Sequence, residues 1–212
     1  MRGEGKSQKR SGGGLPPHPS RITPHISSST KKSKVRIIAG KWRGRLISFP
    51  EAEGLRPTPD RVRETLFNWL GQTLDGKTCL DLFAGSGALG FEALSRGALR
   101  VVMVEQDLQV LNTLRDNARV LCADRLELIG GDGRKTLSNE GESFDVIFLD
   151  PPFHHGILPL LLPLLPDRLA PDGFVYAETE QALEPGEGWE VWRSGRAGNV
   201  FYCLLKREKN GA

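Results

Sequence analysis

Long hydrophobic runs are missing from this chain. The one membrane-like stretch, Ile157 to Leu165, is cut by Pro159 and Pro163. It falls well short of the roughly 20 residues a spanning helix needs, so no membrane partner is expected. The basic N-terminal residues lack an apolar segment of about 7–15 residues followed by a small-residue cleavage site, which argues against a secretory signal. Cysteine is scarce as well. Cys79, Cys122 and Cys203 form no C-x-x-C pair, and Cys79 and Cys203 sit in apolar, strand-like runs. Buried reduced thiols are therefore expected rather than disulfides or metal ligands, and with them a reducing cytoplasm. No internal repeat is found. A length of 212 residues with 38% hydrophobic content suits one ordinary domain plus a modest appendage.

What is present is charge, unevenly spread. Residues 1–34 carry Arg2, Lys6, Lys9, Arg10, Arg21, Lys31, Lys32 and Lys34 against Glu4 alone. Residues 35–63 add Arg36, Lys41, Arg43, Arg45, Arg56, Arg61 and Arg63 against Glu51, Glu53 and Asp60, so with a total of only +3 the rest of the chain is acidic. Basic charge at one end of an acidic domain is the footprint of a protein that meets a polyanion. Residues 1–34 are rich in Gly, Ser, Pro, Lys and Arg, too poor in apolar groups to offset the entropy of ordering, and are expected to be a disordered basic tail.

From Val35 the pattern changes. The run VRIIAGKWRGRLISF, with Gly44 as a turn signal, predicts a hairpin, and Val62, Leu66, Trp69 and Leu70 recur at helical spacing before Gly71. Residues 35–71 are thus read as an N-terminal hairpin and helix, and 72–212 as the core. In the core, strands are predicted at 78–83, 100–105, 126–129, 144–150, 173–178, 190–194 and 200–206. Helices are predicted between the early ones, at 89–96, 108–120, 134–139 and 157–169. That alternation implies an α/β fold, a mostly parallel seven-stranded sheet with helices on both faces. The last two strands have no helix between them, which makes a hairpin and one antiparallel strand possible.

The first core strand runs into Asp81-Leu82-Phe83-Ala84-Gly85-Ser86-Gly87, a Gly-rich strand-to-helix turn of the kind that binds ligands at the carboxyl edge of an open sheet. The G-x-G-x-x-G of Gly85, Gly87 and Gly90, with Glu105 placed for a ribose diol, suits a dinucleotide equally well. Asp81 tilts the choice, because a carboxylate there repels a pyrophosphate and attracts the sulfonium and amino groups of S-adenosylmethionine. Asp132, within Gly131-Asp132-Gly133, stands at the third strand end, positioned to accept from an adenine amino group. The plain alternatives are an ordinary strand-end acid for Glu105 and a helix cap for Asp132.

The fourth strand delivers Asp150-Pro151-Pro152-Phe153 to the same edge. Two prolines remove two donors and leave a rigid array of acceptors, the Asp150 carboxylate and the Pro151 carbonyl. Such acceptors want a donor, and an exocyclic base amino group is one. Holding its hydrogens aims the nitrogen lone pair at a methyl carbon and stabilises the positive charge that develops. Phe153 is placed to stack on the base. His154 and His155 are read as a solvent-facing pair outside this mechanism.

These residues resemble a known family. RIIAGKWRGR at 36–45, RPTPDRVRETLFNWL at 56–70, DLFAGSGALGFEALSRGA at 81–98, VEQD at 104–107 and DPPF at 150–153 are similar to the RsmD-type class I methyltransferases. The resemblance implies a Rossmann-like fold and methyl transfer from S-adenosyl-L-methionine to guanine N2 in 16S ribosomal RNA, within assembled or assembling 30S subunits; a monomer is expected. It implies cofactor contacts at Asp81, Phe83, Ala84, Gly85, Ser86, Gly87, Glu105, Gln106, Asp132 and Gly133, and catalysis at Asp150, Pro151, Pro152 and Phe153. Arg43, Arg56, Thr58, Arg61 and Asn68 are implied on the substrate side. A base-amino methyltransferase of another RNA or of DNA, a dinucleotide oxidoreductase and a non-enzymatic RNA-binding module remain the alternatives.

Overall fold

The computed structural model describes residues 31–51, 56–138, 141–152 and 156–208. Phe153, His154, His155 and the tail through Thr30 lie outside these residues. The chain opens with an antiparallel hairpin of β1 (Lys32–Arg36) and β2 (Leu46–Pro50), whose register runs from Lys32↔Pro50 to Arg36↔Leu46. Lys32, Ser33 and Lys34, assigned by composition to the tail, are therefore strand residues. Backbone pairing, which composition does not report, places them there. Helix α1 (Asp60–Trp69) follows, burying Val62, Leu66 and Phe67.

The core sheet contains β3 (Thr78–Asp81), β4 (Arg100–Glu105), β5 (Leu126–Gly130), β6 (Phe144–Leu149), β7 (Leu169–Thr179), β8 (Trp189–Ala197) and β9 (Val200–Arg207). Their spatial order is β5-β4-β3-β6-β7-β9-β8. Strands β3 to β7 pair in parallel, and β9 is antiparallel to both of its neighbours. This is the expected α/β sheet with its terminal hairpin. Helices α2 (Ala88–Ser95), α3 (Leu108–Leu121), α4 (Gly133–Ser138) and α5 (Leu158–Leu161) supply the crossovers. The long helix expected over 157–169 is not formed. After α5 the chain makes two 3-10 turns, Leu162–Leu164 and Pro166–Arg168, and Leu169 already belongs to β7. Pro159 is tolerated in a first helical turn, whereas Pro163 and Pro166 each remove an N–H that a continuing helix needs.

Alternation along the strands divides the core in two. Cys79, Val101, Met103, Val146, Phe148 and Tyr176 pack on one face with the hairpin, α1, α2 and α3. Leu80, Leu82, Val102, Val104, Ile147 and Leu149 pack on the other with α5 and Trp189. Cys79 and Cys203 are buried and Cys122 is exposed.

One buried acid fastens the N-terminal unit to the core. Glu92, on α2, accepts hydrogen bonds from the backbone N–H groups of Ile38 (2.8 Å) and Ala39 (3.0 Å). It also pairs with Arg96 Nε at 2.7 Å and with Arg63 Nη1 at 3.4 Å. Arg63, fully buried, extends the cluster to the carbonyls of Thr58 and Arg36. Gly40 completes the fit, because a Cβ there would lie 1.8 Å from the Ser95 carbonyl oxygen. On the far side Asn117 of α3 both donates to and accepts from the Ser48 backbone, as a neighbouring strand would.

Removing one member of a buried ion cluster leaves the others charged and unpaired. Glu92→Ala should lower the free energy of unfolding by about 3–5 kcal/mol, read from the urea midpoint. A loss under about 1 kcal/mol would show that the hairpin is held by other contacts.

Candidate active site

The sheet order makes the site. From β3 the chain winds outward to β4 and β5, then returns across β3 to β6 and β7, leaving a crevice beyond the strand ends at the reversal. A cleft of about 680 Å3 lies there. Its wall carries Asp81, Glu105, Asp132, Asp150 and Glu178, one acid from each of the five parallel strand ends.

Asp81 is buried, and its Oδ1 finds no hydrogen-bond partner among the described residues. Burial pushes its carboxyl up to about 7; N–H groups of Phe83 and Gly90 offset this in part, and the nearby Glu105 adds to it. A buried carboxylate oxygen with no donor is suited to a cationic ligand group, since leaving it unpaired costs free energy. Glu105 organises the glycine loop. Its Oε2 accepts from Gly85 N–H at 2.9 Å and its Oε1 from Asp107 N–H at 2.8 Å. Each oxygen keeps a lone pair for a ligand diol. Asp132 accepts from Arg134 N–H at 2.9 Å at the start of α4 and pairs with the Arg134 side chain at 2.7 Å, which holds its carboxyl below the usual range. The helix-cap reading of Asp132 is therefore met, at a position that also faces the cleft. Gly133 permits this crowding, because a Cβ there would lie 2.4 Å from the Leu82 carbonyl oxygen.

At the other end of the cleft Asp150 follows β6. Burial, then the charges of Glu178 and Asp81, raise its carboxyl well above the ordinary range. Glu178 was not singled out from the sequence. Strand β7 carries it into the wall, where it accepts from the Tyr176 hydroxyl at 2.9 Å and from the Thr58 hydroxyl. The signal that could have found it is the one that found the others, an acid at the end of a parallel strand.

Of the residues read as cofactor contacts, Asp81, Phe83, Ala84, Gly85, Ser86, Glu105, Gln106, Asp132 and Gly133 line the cleft. Gly87 does not line it. It caps α2 at φ +77, with Phe91 and Leu114 against the place a Cβ would occupy. Its work is to turn the chain where other residues are strained. Asp150, Pro151 and Pro152 line the cleft. Of the substrate-side residues, Arg56 and Thr58 do so, whereas Arg43, Arg61 and Asn68 are exposed on the turn after β1 and on α1, away from its wall. Helical spacing turns Arg61 and Asn68 outward while Val62 and Leu66 are buried.

Comparison with known proteins identifies the class and then the family. Solved structures superpose on most of the chain. A putative methyltransferase from Escherichia coli matches with a TM-score of 0.75 and 42% identity over 83% of this chain and 99% of that one. A putative methylase from Haemophilus influenzae matches with a TM-score of 0.71 and 40% identity over 84% and 100%. The fold is that of a class I methyltransferase. The family model described as Conserved hypothetical protein 95 matches residues 35–206. Two curated proteins named ribosomal RNA small subunit methyltransferase D are similar as well. The one from Escherichia coli is 42% identical over 84% of this chain and 92% of its own length. The one from Haemophilus influenzae is 43% identical over 85% and 98%. The chain belongs to this family, the RsmD family, and is a methyltransferase.

A cation held by the Asp81 carboxyl would bind in a pH-dependent way. It is raised to about 7, so the charged form that attracts a cation predominates only above that pH. Affinity for S-adenosylmethionine should therefore rise with pH from about 6 to 8, by at most about tenfold per unit below 7. Titration calorimetry should show this, and Asp81→Asn should flatten it. A wild-type affinity that falls as pH rises would refute the assignment.

Proposed function

We propose that the protein transfers a methyl group from S-adenosyl-L-methionine to the exocyclic N2 amino group of a guanine in small-subunit ribosomal RNA. The observation that carries this reading is the placement of Asp150, Pro151 and Pro152 in one cleft with Asp81 and Glu105. The names of its relatives, ribosomal RNA small subunit methyltransferase D, support it. Asp81 would hold the cationic end of the cofactor, Glu105 its ribose and Asp132, beside Arg134, its adenine. When bound, the cofactor supplies an electrophilic methyl on a sulfonium.

The protein's own part is positioning and charge stabilisation. The Asp150 carboxylate and the Pro151 carbonyl accept the two amino hydrogens of the base, which directs the nitrogen lone pair at the methyl carbon. Positive charge appears on that nitrogen as the new bond forms, and Asp150 takes the proton then lost. Phe153 stacks on the base, which must be unpaired or turned out of its helix to enter. The hairpin and α1, residues 35–71, form the RNA-facing unit. Arg43, Arg61 and Asn68 lie on its outer surface, where they meet phosphates away from the reacting base. The substrate is 16S ribosomal RNA in an assembled or assembling 30S particle, in the cytoplasm, and the enzyme acts as a monomer. Among the described residues no helix is long and apolar enough to cross a membrane.

Asp150→Ala should abolish turnover and leave cofactor affinity within a few-fold, because its contacts are made chiefly in the transition state. Mass mapping of ribosomal RNA from cells carrying wild-type, Asp150→Ala or no gene checks both activity and target. A methylation pattern identical in all three strains would sink the proposal.

A further inference from the structure

Of the five strand-end acids in the cleft, the mechanism above leaves one idle. Glu178 is 4% exposed, yet it lines the cleft. It makes no salt bridge among the described residues and accepts hydroxyl hydrogens from Tyr176 and Thr58. Two hydroxyls offset only part of the cost of burying a carboxyl beside another acid, and burial raises its proton affinity accordingly. Such a group wants further donors. A carboxylate has about four lone-pair sites, so two remain for a ligand.

Its position says which donors those are. The β6–β7 pairing sets Leu149 opposite Ala177 as its last pair, so Asp150, the residue after β6, and Glu178 each follow directly on that pair, near enough for the charge of Glu178 to act on Asp150. Phe148 and Tyr176 pack on the same face, and two residues further on both acids line the cleft. The segment from Arg56 to Pro59 lines the cleft beside them. A base whose amino group is held by Asp150 thus brings the neighbouring atom of its ring edge toward Glu178. Guanine has a donor there, N1–H beside the N2 amino group. Adenine beside N6 and cytosine beside N4 have ring nitrogens with a lone pair, which would face the carboxylate unfavourably.

We propose that Glu178 determines the choice of base by accepting the guanine N1–H while Asp150 holds the N2 amino group. This role rests on the guanine-N2 reading given above. It places two acceptors side by side against two adjacent donors, and it gives the Thr58 hydroxyl a task, since Thr58 and Tyr176 orient the carboxyl that reads the base. A site built around a buried acceptor rejects an analogue that lacks the matching donor far more strongly than an apolar pocket rejects a wrong shape.

The test uses 2-aminopurine, which keeps the 2-amino group and replaces N1–H by an unprotonated N1. Ribosomal RNA fragments carrying guanine or 2-aminopurine at the mapped position are compared by kcat/KM with the full chain. The wild-type enzyme should favour guanine by about a hundredfold or more. Glu178→Gln should lose activity on guanine and narrow the ratio to within about tenfold, because its side-chain amide can donate to the bare N1. Its cofactor affinity should stay within a few-fold of wild type. A merely structural role would lower both rates together and leave the ratio unchanged, which overturns the proposal. Equal wild-type rates on the two bases overturn it even where the variant fails to fold. A wild-type enzyme that methylates no guanine refutes the function itself, and this role with it.

Discussion

The structure turns on one buried carboxylate. Glu92 sits on the first helix after the glycine loop and binds two backbone N–H groups of the N-terminal hairpin and two buried arginines. An ionised acid in a core is costly unless its lone pairs are filled. Here they are filled only if the hairpin, α1 and α2 are all in place. The cluster therefore stabilises no single element; it fixes their relative positions. Through Arg63 it also sets the segment from Thr58 to Asp60, and Thr58 reaches the cleft. The constraint that docks the hairpin thus carries over to the part of the site where the base is expected.

A second electrostatic theme governs the cleft. Five parallel strands end in acids on one edge, an arrangement that repels phosphate groups and is unstable in isolation. Asp81 and Asp150 are pushed toward their neutral forms by burial and by their neighbours. Asp132, paired with Arg134, is held in its charged form. The environment therefore differs along the wall, although the residue types are alike. A ligand that brings cationic groups to one end and base donors to the other relieves both strains, and a dinucleotide relieves neither. Of the basic residues of the N-terminal unit, Arg56 lines this acidic cleft, whereas Arg43 and Arg61 are exposed outside it, so the charge asymmetry of the chain is only partly a spatial separation.

Much of this was legible because local rules suffice for it. Alternating strand and helix patterns gave the parallel sheet, and the strand-end acids Asp81, Glu105, Asp132 and Asp150, two of them followed by glycines, marked the carboxyl edge. Where the structure departs from those patterns or adds a placement to them, the reason is identifiable. Pattern alone extended a helix through Pro163 and Pro166, where missing N–H groups break it into turns. Composition assigned Lys32 to Lys34 to a tail, whereas pairing with Ser48 to Pro50 makes them a strand. Gly87 has the spacing of a binding residue but serves the backbone turn beneath the cleft. Arg61 and Asn68 belong to a distinctive segment, and helical geometry turns them away from the site to which Thr58 points.

By itself the sequence determined the fold class and that Asp81, Glu105, Asp132 and Asp150–Pro151–Pro152 gather at the carboxyl edge of the sheet, since these depend on residue types at short spacing and on the chirality of strand-helix-strand units. The family followed from the same short runs. Tertiary structure alone decided which distant residues meet. Glu178 lies 28 positions beyond Asp150 and Thr58 far before it, and only the β6–β7 register and the docked N-terminal unit bring all three to one wall. Glu92 reads in the sequence as an ordinary helical acid, and its burial among Arg63, Arg96 and the hairpin backbone appears only on folding. The physical reason is the same in both cases. Local spacing fixes what a segment can become, while the cost of leaving a buried charge unpaired is set by neighbours that the chain supplies from elsewhere.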